Sequence, residues 1–377
     1  MGDKIPFNKP FVDEAGRRYV AQALASEKHS GDGPFTQRCH SLLESLLGCS
    51  KVLLSTSCTH ALEMTALLLD VHLGDEVIVP SFTFGSTANA FALRGASIVF
   101  ADIRSDTLNL DESQLESLIT GRTKAIALVH YAGVACELDS IMPIARRHGV
   151  AVVEDNAHGL FGRYKNRYLG TFGCLATQSF HETKNFSCGE GGALIINVPR
   201  FIERAEIIRE KGTNRSRFFR GEIDKYSWVD LGSSYLPSDI LAALLLAQLE
   251  AREKIQARRK QIWETYYGGL KSWAERHDVG LPFVPPHCDQ AYHMFYLLLP
   301  SAQVRQALID HLRSRGILAV FHYLPLHLSE YARRFGGKPG DCPVTEDVSD
   351  RLLRLPFFFS LSAPQQARVI EAICKFA

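Results

Sequence analysis

Residues 179–190 read SFHETKNFSCGE, and Lys184 within them stands 29 positions beyond Asp155, the acid of AVVEDNAH. A lysine and an aspartate are what a pyridoxal phosphate ring needs on its opposite sides. The lysine amine carries the aldehyde carbon as a Schiff base, while a buried carboxylate keeps the pyridine nitrogen protonated so that the ring accepts electrons. A lysine in that role must spend time neutral, which burial and a nearby cation promote. Most lysines are solvated surface charges, so Lys184 gains meaning only from its company.

Further runs supply that company. In STSCTHALEMTALLL, small hydroxyl residues precede an amphipathic helical run. The free amides and positive dipole end of a helix starting there suit a phosphate at Ser57, Cys58 and Thr59. A cap serving only the helix is the plainer reading of the same residues. This turn carries no Walker lysine and no GxGxxG, which weakens nucleoside triphosphate and dinucleotide readings. After EVIVP comes SFTFGSTANA, where Phe82 or, better, Phe84 offers a ring to stack on a flat heterocycle, with a core position as the alternative. EDNAH sets Asp155 to salt-bridge a pyridinium nitrogen and His158 to hydrogen-bond the ring oxygen. An aspartate cap beside a surface histidine is the competing reading of that run.

The elements that must hold these residues are legible as an alternation. EVIVP, TANAFALR, ASIVF, ESQLESLI, KAIALVH, SIMPIARRH and VAVVED switch between β-rich and helical patterns. Such switching implies right-handed βαβ units around a mostly parallel sheet, with ligands beyond the C-terminal strand ends. GGALIIN adds a strand and FIERAEIIREKG a helix. The segment from Leu236 to about Leu270 is too long for an average helix and reads as a bent connector. Beyond it, AYHMFYLLLP, QVRQALIDHLRSRG and ILAVFHYLPL predict strand, helix and strand, followed by two helices. The fold class is α/β, with a large cofactor-binding domain over 1–260, N-terminal segment included, and a small C-terminal α+β lobe over 261–377.

Composition narrows the function classes. Of 377 residues, 46% are hydrophobic and 22% charged, as in a globular enzyme with a deep site. Lys plus Arg, 42, nearly cancels Asp plus Glu, 41, so no overall field favours nucleic acid or an anionic membrane. The start MGDKIPFNKP lacks a signal-peptide core, and no apolar stretch approaches the roughly 20 residues of a membrane span. The expected location is the cytoplasm. Nine scattered cysteines without a CxxC pair argue against a disulfide framework or zinc ribbon, and no metal site is expected, His322 and His327 lacking further spaced ligands.

The ordered series SCTHAL, PSFTF, VVEDNAH and SFHETKN, with PFNKP, HSGDGPFT, HMFY and FHYLPLH, resembles the PLP-dependent sugar aminotransferases of the DegT/DnrJ/EryC1/StrS family over nearly the whole chain. The resemblance implies the aspartate aminotransferase-like fold (PLP fold type I), pyridoxal 5'-phosphate as cofactor, and a homodimer with active sites at its two-fold interface. It places the Schiff-base lysine on Lys184, the pyridinium partner on Asp155, and phosphate ligands around Cys58 and Thr59 and on Ser179. The stacking aromatic falls on Phe84, and His158 falls beside the ring hydroxyl. Two positions depart from the family pattern. Cys58 replaces a glycine, so its side chain must turn away from the phosphate, and Ser234 stands where an asparagine usually reaches the neighbouring subunit's phosphate. Within the family the chain looks most like the C4 transaminases of enterobacterial common antigen synthesis. That likeness implies L-glutamate as donor and a dTDP-sugar acceptor, dTDP-4-keto-6-deoxy-D-glucose. Candidate substrate contacts are Arg215 and Arg217, with Lys211 and Arg220 in the same basic run, and His322, Tyr323 and His327 of FHYLPLH. Amination at C3, a dehydratase and a non-catalytic regulator are the alternatives; Lys184 argues against the last two.

Overall fold

The computed structural model describes residues 4–376. Its central sheet is built from β1 (Lys51–Ser55), β2 (Glu76–Pro80), β3 (Ser97–Ala101), β4 (Thr123–Val129) and β5 (Ala151–Asp155). After a short hairpin, β6 (Arg163–Tyr164) and β7 (Arg167–Tyr168), the sheet is completed by β8 (Leu175–Ser179) and β9 (Gly192–Ile196). The order is β1-β9-β8-β5-β4-β2-β3. From β8 to β3 all pairs are parallel, while β9 runs antiparallel to both of its neighbours. Strands such as EVIVP are buried along their whole length, as a sheet covered by helices on both faces requires. Asp155 and Ser179 are the last residues of β5 and β8.

The end of β5 is pinned by a buried charge. Glu154 accepts hydrogen bonds from His130 Nε2 at 2.9 Å and from the backbone N–H groups of Gly170, Phe172 and Gly173 at 2.7–2.8 Å. Burial pushes its carboxyl up, but His130 and the backbone donors outweigh that and hold it below its ordinary value. Strand β4 is thereby tied to β5 and to the loop leading into β8.

A second core gathers Ile262, Tyr266, Leu270 and Trp273 with Phe295, Leu312, Leu353 and Val369. Its sheet consists of β11 (Tyr296–Leu298), β12 (Val320–Phe321) and β13 (Leu352–Arg354), in the order β11-β13-β12; the preceding β10 (Cys288–Asp289) instead pairs with β6. The small-lobe strands are shorter than AYHMFYLLLP and ILAVFHYLPL predict. The central strand β13 follows a helix without a loop, and its three residues are too few to show alternation. The connector is two helices, Asp239–Glu250 and Arg252–Arg276, meeting at Ala251. Ile5 belongs to this second core and not to the first: its N–H donates to Gly316 O at 2.8 Å, and its carbonyl accepts from Leu318 at 3.0 Å.

At the start of β9 the chain passes the turn before the helix Cys58–Leu68. A Cβ on Gly192 would lie 2.3 Å from the Ser57 carbonyl carbon and 2.4 Å from the Cys58 nitrogen. Both are backbone atoms, so Gly192→Ala must push the turn away from the sheet. A loss of about 1–3 kcal/mol is expected in urea unfolding; an unchanged midpoint would mean that the turn yields freely.

Candidate active site

A cavity of about 740 Å³ opens beyond the strand ends, lined by both lobes. Ser57, Cys58, Thr59, Phe84, Asp155, His158, Ser179 and Lys184 face it from the large lobe, with His322 and Tyr323 opposite. The structure therefore brings together residues spread over more than half of the sequence.

Asp155 is buried at the end of β5. Its Oδ2 accepts from Thr87 Oγ1 at 2.7 Å and its Oδ1 from the Ala157 N–H at 3.2 Å. Thr87 Oγ1 lies 2.8 Å from Thr83 Oγ1, which fixes its direction. Desolvation nevertheless pushes the carboxyl above its ordinary value, against those donors and the Lys184 amine. The neighbouring Glu154 has four donors and is held down; Asp155 has two and is not. Its charge is left to be matched by a cation within the cavity.

Lys184 makes no side-chain hydrogen bond or ion pair among those formed by the described residues. Burial lowers its amine to about 8, with the Arg354 guanidinium acting in the same sense and Cys58 and Asp155 opposing. A neutral nucleophilic amine is thus accessible near neutrality, facing a carboxylate in the same cavity.

The helix Cys58–Leu68 begins at the cavity wall. Ser57 caps it, accepting from the His60 N–H at 3.1 Å, which leaves the first amides directed at the cavity end. Thr59 Oγ1 lies 2.8 Å from Ser86 Oγ. The Cys58 thiol donates to Thr177 Oγ1 on β8 at 3.4 Å, so its side chain is engaged by the sheet. Phe84, 63% exposed, caps the helix Gly85–Ala92, with its ring 6.3 Å from that of Tyr323.

His158 is buried, not a surface residue, and its Nδ1 has no hydrogen-bond partner. Desolvation first, then the charges of Lys184 and Arg354, keep it neutral well below its ordinary value. His322 Nδ1 lies 3.0 Å from Tyr131 Oη at the same wall.

Several expected residues lie elsewhere. His327 is fully buried between Ser81, at 2.6 Å, and Glu346, at 3.1 Å, and serves as packing between the lobes. Arg215 pairs with Glu210, and Arg217 with Glu203 and Glu222; neither lines the cavity, and Lys211 and Arg220 are likewise paired with glutamates. The acids that neutralise this basic run flank it, at Glu210 and Glu222, or lie on the preceding helix, at Glu203 and Glu206. Ser234 is exposed and outside this cavity. Conversely, Thr87, His293 and Arg354 line the cavity without having been picked out. Thr87 was within reach, standing three residues after Phe84 on the same helical turn; Arg354 sits on the strand that the sequence concealed. Among the described residues, no cluster of three or more His, Cys, Asp or Glu could hold a metal, and no helix is long and apolar enough to cross a membrane.

These groups fit pyridoxal phosphate. A carboxylate short of donors would suit a cationic nitrogen, the buried amine gives up its proton more readily than an exposed lysine, and free helix amides would suit a phosphate. An orphaned imidazole nitrogen remains for a ring substituent. A model of the DegT/DnrJ/EryC1/StrS aminotransferase family matches residues 10–374. The chain is 33% identical to an uncharacterized protein of Methanocaldococcus jannaschii, over 98% of this chain and 97% of that one. The PLP form of Spr1654 from Streptococcus pneumoniae, a candidate sugar aminotransferase, superposes with a TM-score of 0.92 at 26% identity, over 99% of this chain and 98% of the other. The aminotransferase TlmJ from Streptoalloteichus hindustanus gives 0.90 at 30% identity, over 98% of each chain. With the family model spanning almost the whole sequence and the cavity chemistry in agreement, the chain belongs to the DegT/DnrJ/EryC1/StrS aminotransferase family, an α/β enzyme of the aspartate aminotransferase-like fold that uses pyridoxal phosphate.

Proposed function

We propose that the enzyme moves an amino group from L-glutamate to C4 of dTDP-4-keto-6-deoxy-D-glucose, giving dTDP-4-amino-4,6-dideoxy-D-galactose for enterobacterial common antigen, as a cytoplasmic homodimer. The observation that carries the transamination is the meeting, in one cavity, of the buried Lys184 amine, which gives up its proton more readily than an exposed lysine, with the donor-poor carboxylate of Asp155. The choice of sugar rests on the motif series SCTHAL, PSFTF, VVEDNAH and SFHETKN together with HMFY and FHYLPLH. The kinship to a candidate sugar aminotransferase supports the substrate class.

Pyridoxal phosphate, when bound, supplies an aldehyde carbon that alternately takes up and releases the amino group, and a ring that stores an electron pair. Asp155, oriented by Thr87, holds a proton on the pyridine nitrogen. The amides at Cys58 and Thr59, with Ser57 and Ser179, would hold the phosphate; Phe84 would stack on the ring, and His158 would hydrogen-bond its oxygen. Ser234 of each protomer is assigned to the other protomer's phosphate. Lys184 would hold the aldehyde through its amine, and the same amine is placed to take the proton from the donor's α-carbon and to deliver one to the sugar carbon. His322 and Tyr323, on the opposite wall, are the candidate sugar contacts.

Two experiments test this reading. Apo-protein mixed with pyridoxal phosphate should capture the aldehyde at a rate that rises with pH and levels off above about 8, because the Lys184 amine is protonated and inert below that value. Borohydride should then fix the label on the Lys184 peptide, and Lys184→Ala should carry none; a label on another lysine refutes the assignment. For the acceptor, holoenzyme is incubated with glutamate and dTDP-4-keto-6-deoxyglucose and the product solved by NMR. Nitrogen at C4 with galacto configuration is expected, and nitrogen at C3 would transfer the chain to the competing specificity.

A further inference from the structure

HMFY, residues 293–296, is a motif to which the reaction above gives no task. His293 is buried at the cavity wall, and its ring lies flat on that of His158, with centroids 4.2 Å apart and planes 14° from parallel. His158 itself has a buried Nδ1 without a partner, so neighbouring rings must set its plane. His293 covers one face, and Tyr131 meets it edge-on at 5.9 Å and 69°.

His293, by contrast, is held at its ring by Asn185 and at its carbonyl by Arg259. Asn185, next to Lys184, donates from Nδ2 to Ala291 O at 2.6 Å, which turns its Oδ1 to His293 Nδ1 at 2.9 Å. An amide oxygen only accepts, so Nδ1 of His293 carries the hydrogen and its tautomer is fixed. Arg259, 3% exposed, donates to Tyr292 O at 2.9 Å and to His293 O at 2.5 Å, with its guanidinium 4.7 Å from the Phe357 ring centre. No carboxylate pairs with Arg259 among the described residues, and Tyr292 sits in left-handed backbone at φ 51°. A buried, unmatched cation and a left-handed tyrosine each cost stability and persist where the surroundings over-determine them, which happens chiefly around functional groups.

We propose that His293 is a positioning residue for the reaction, fixing the plane of His158 by stacking, with Arg259 and Asn185 holding it in place. This rests on the reading that His158 meets the cofactor's ring oxygen. The stacking face, and not a ring nitrogen, is what His293 contributes.

The test compares wild-type holoenzyme with His158→Ala, His293→Leu, His293→Phe and Arg259→Lys. The readouts are the dissociation constant for pyridoxal phosphate and the visible circular dichroism of the bound cofactor, which reports its tilt. His293→Leu is expected to weaken cofactor binding about tenfold and diminish the visible band, whereas His293→Phe, flat but without nitrogens, stays within about threefold of wild type. Arg259→Lys, a milder change that keeps the stacked pair, should shift the band in the same sense as the leucine. A phenylalanine variant as impaired as the leucine variant would overturn the proposal, and so would a leucine variant indistinguishable from wild type. His158→Ala behaving as wild type would sink the underlying reading of His158. An impaired His158→Ala beside an intact His293→Leu would sink the positioning role alone.

Discussion

A carboxylate has to stay ionised in a cavity that strips it of water, and much of the large lobe follows from that requirement. Glu154 and Asp155 are consecutive, so they point to opposite faces of β5 and meet the same problem with different means. Glu154 is satisfied by four donors and becomes part of the frame. Asp155 receives only Thr87 and the Ala157 amide and keeps an unmet demand for positive charge. The first residue makes the strand end rigid, and the second makes it useful.

The same desolvation acts in the opposite sense on Lys184. Drying the cavity favours the uncharged form of an amine, and Arg354 adds to this through its own charge. Burial therefore pushes acid and amine toward their uncharged forms together, and a ligand that is cationic toward one and electrophilic toward the other relieves both.

How much of this could be read from the sequence depended on periodicity. The βαβ alternation was long and regular, so the strand ends bearing Asp155 and Ser179 were legible, and with them the wall of the cavity. Residues tied to short or irregular backbone were not. Arg354 ends a three-residue strand, and His293 follows a left-handed tyrosine, so neither belongs to a pattern that propensity can detect. The basic run around Arg215 misled for another reason. Its charges look free in one dimension, but Glu203 and Glu206 of the helix Ile202–Arg209 reach Arg217 and Arg220 in three, and Glu210, just past that helix, takes Arg215. His327 failed similarly, because a histidine at a strand end is as well placed to bond Ser81 and Glu346 as to meet a sugar.

The hydrogen bonds between Ile5 and the segment around Gly316 carry an implication for how the chain is made. During synthesis the segment around Ile5 is made well before its partner around Ile317, which follows about three hundred residues later. Closing so long a loop is slow relative to the local βαβ pairings, so the large lobe can form while the leading residues wait unengaged. The wall bearing His293, His322 and Arg354 belongs to residues made after those of the large lobe, so the cavity is complete only once the small lobe has folded against it.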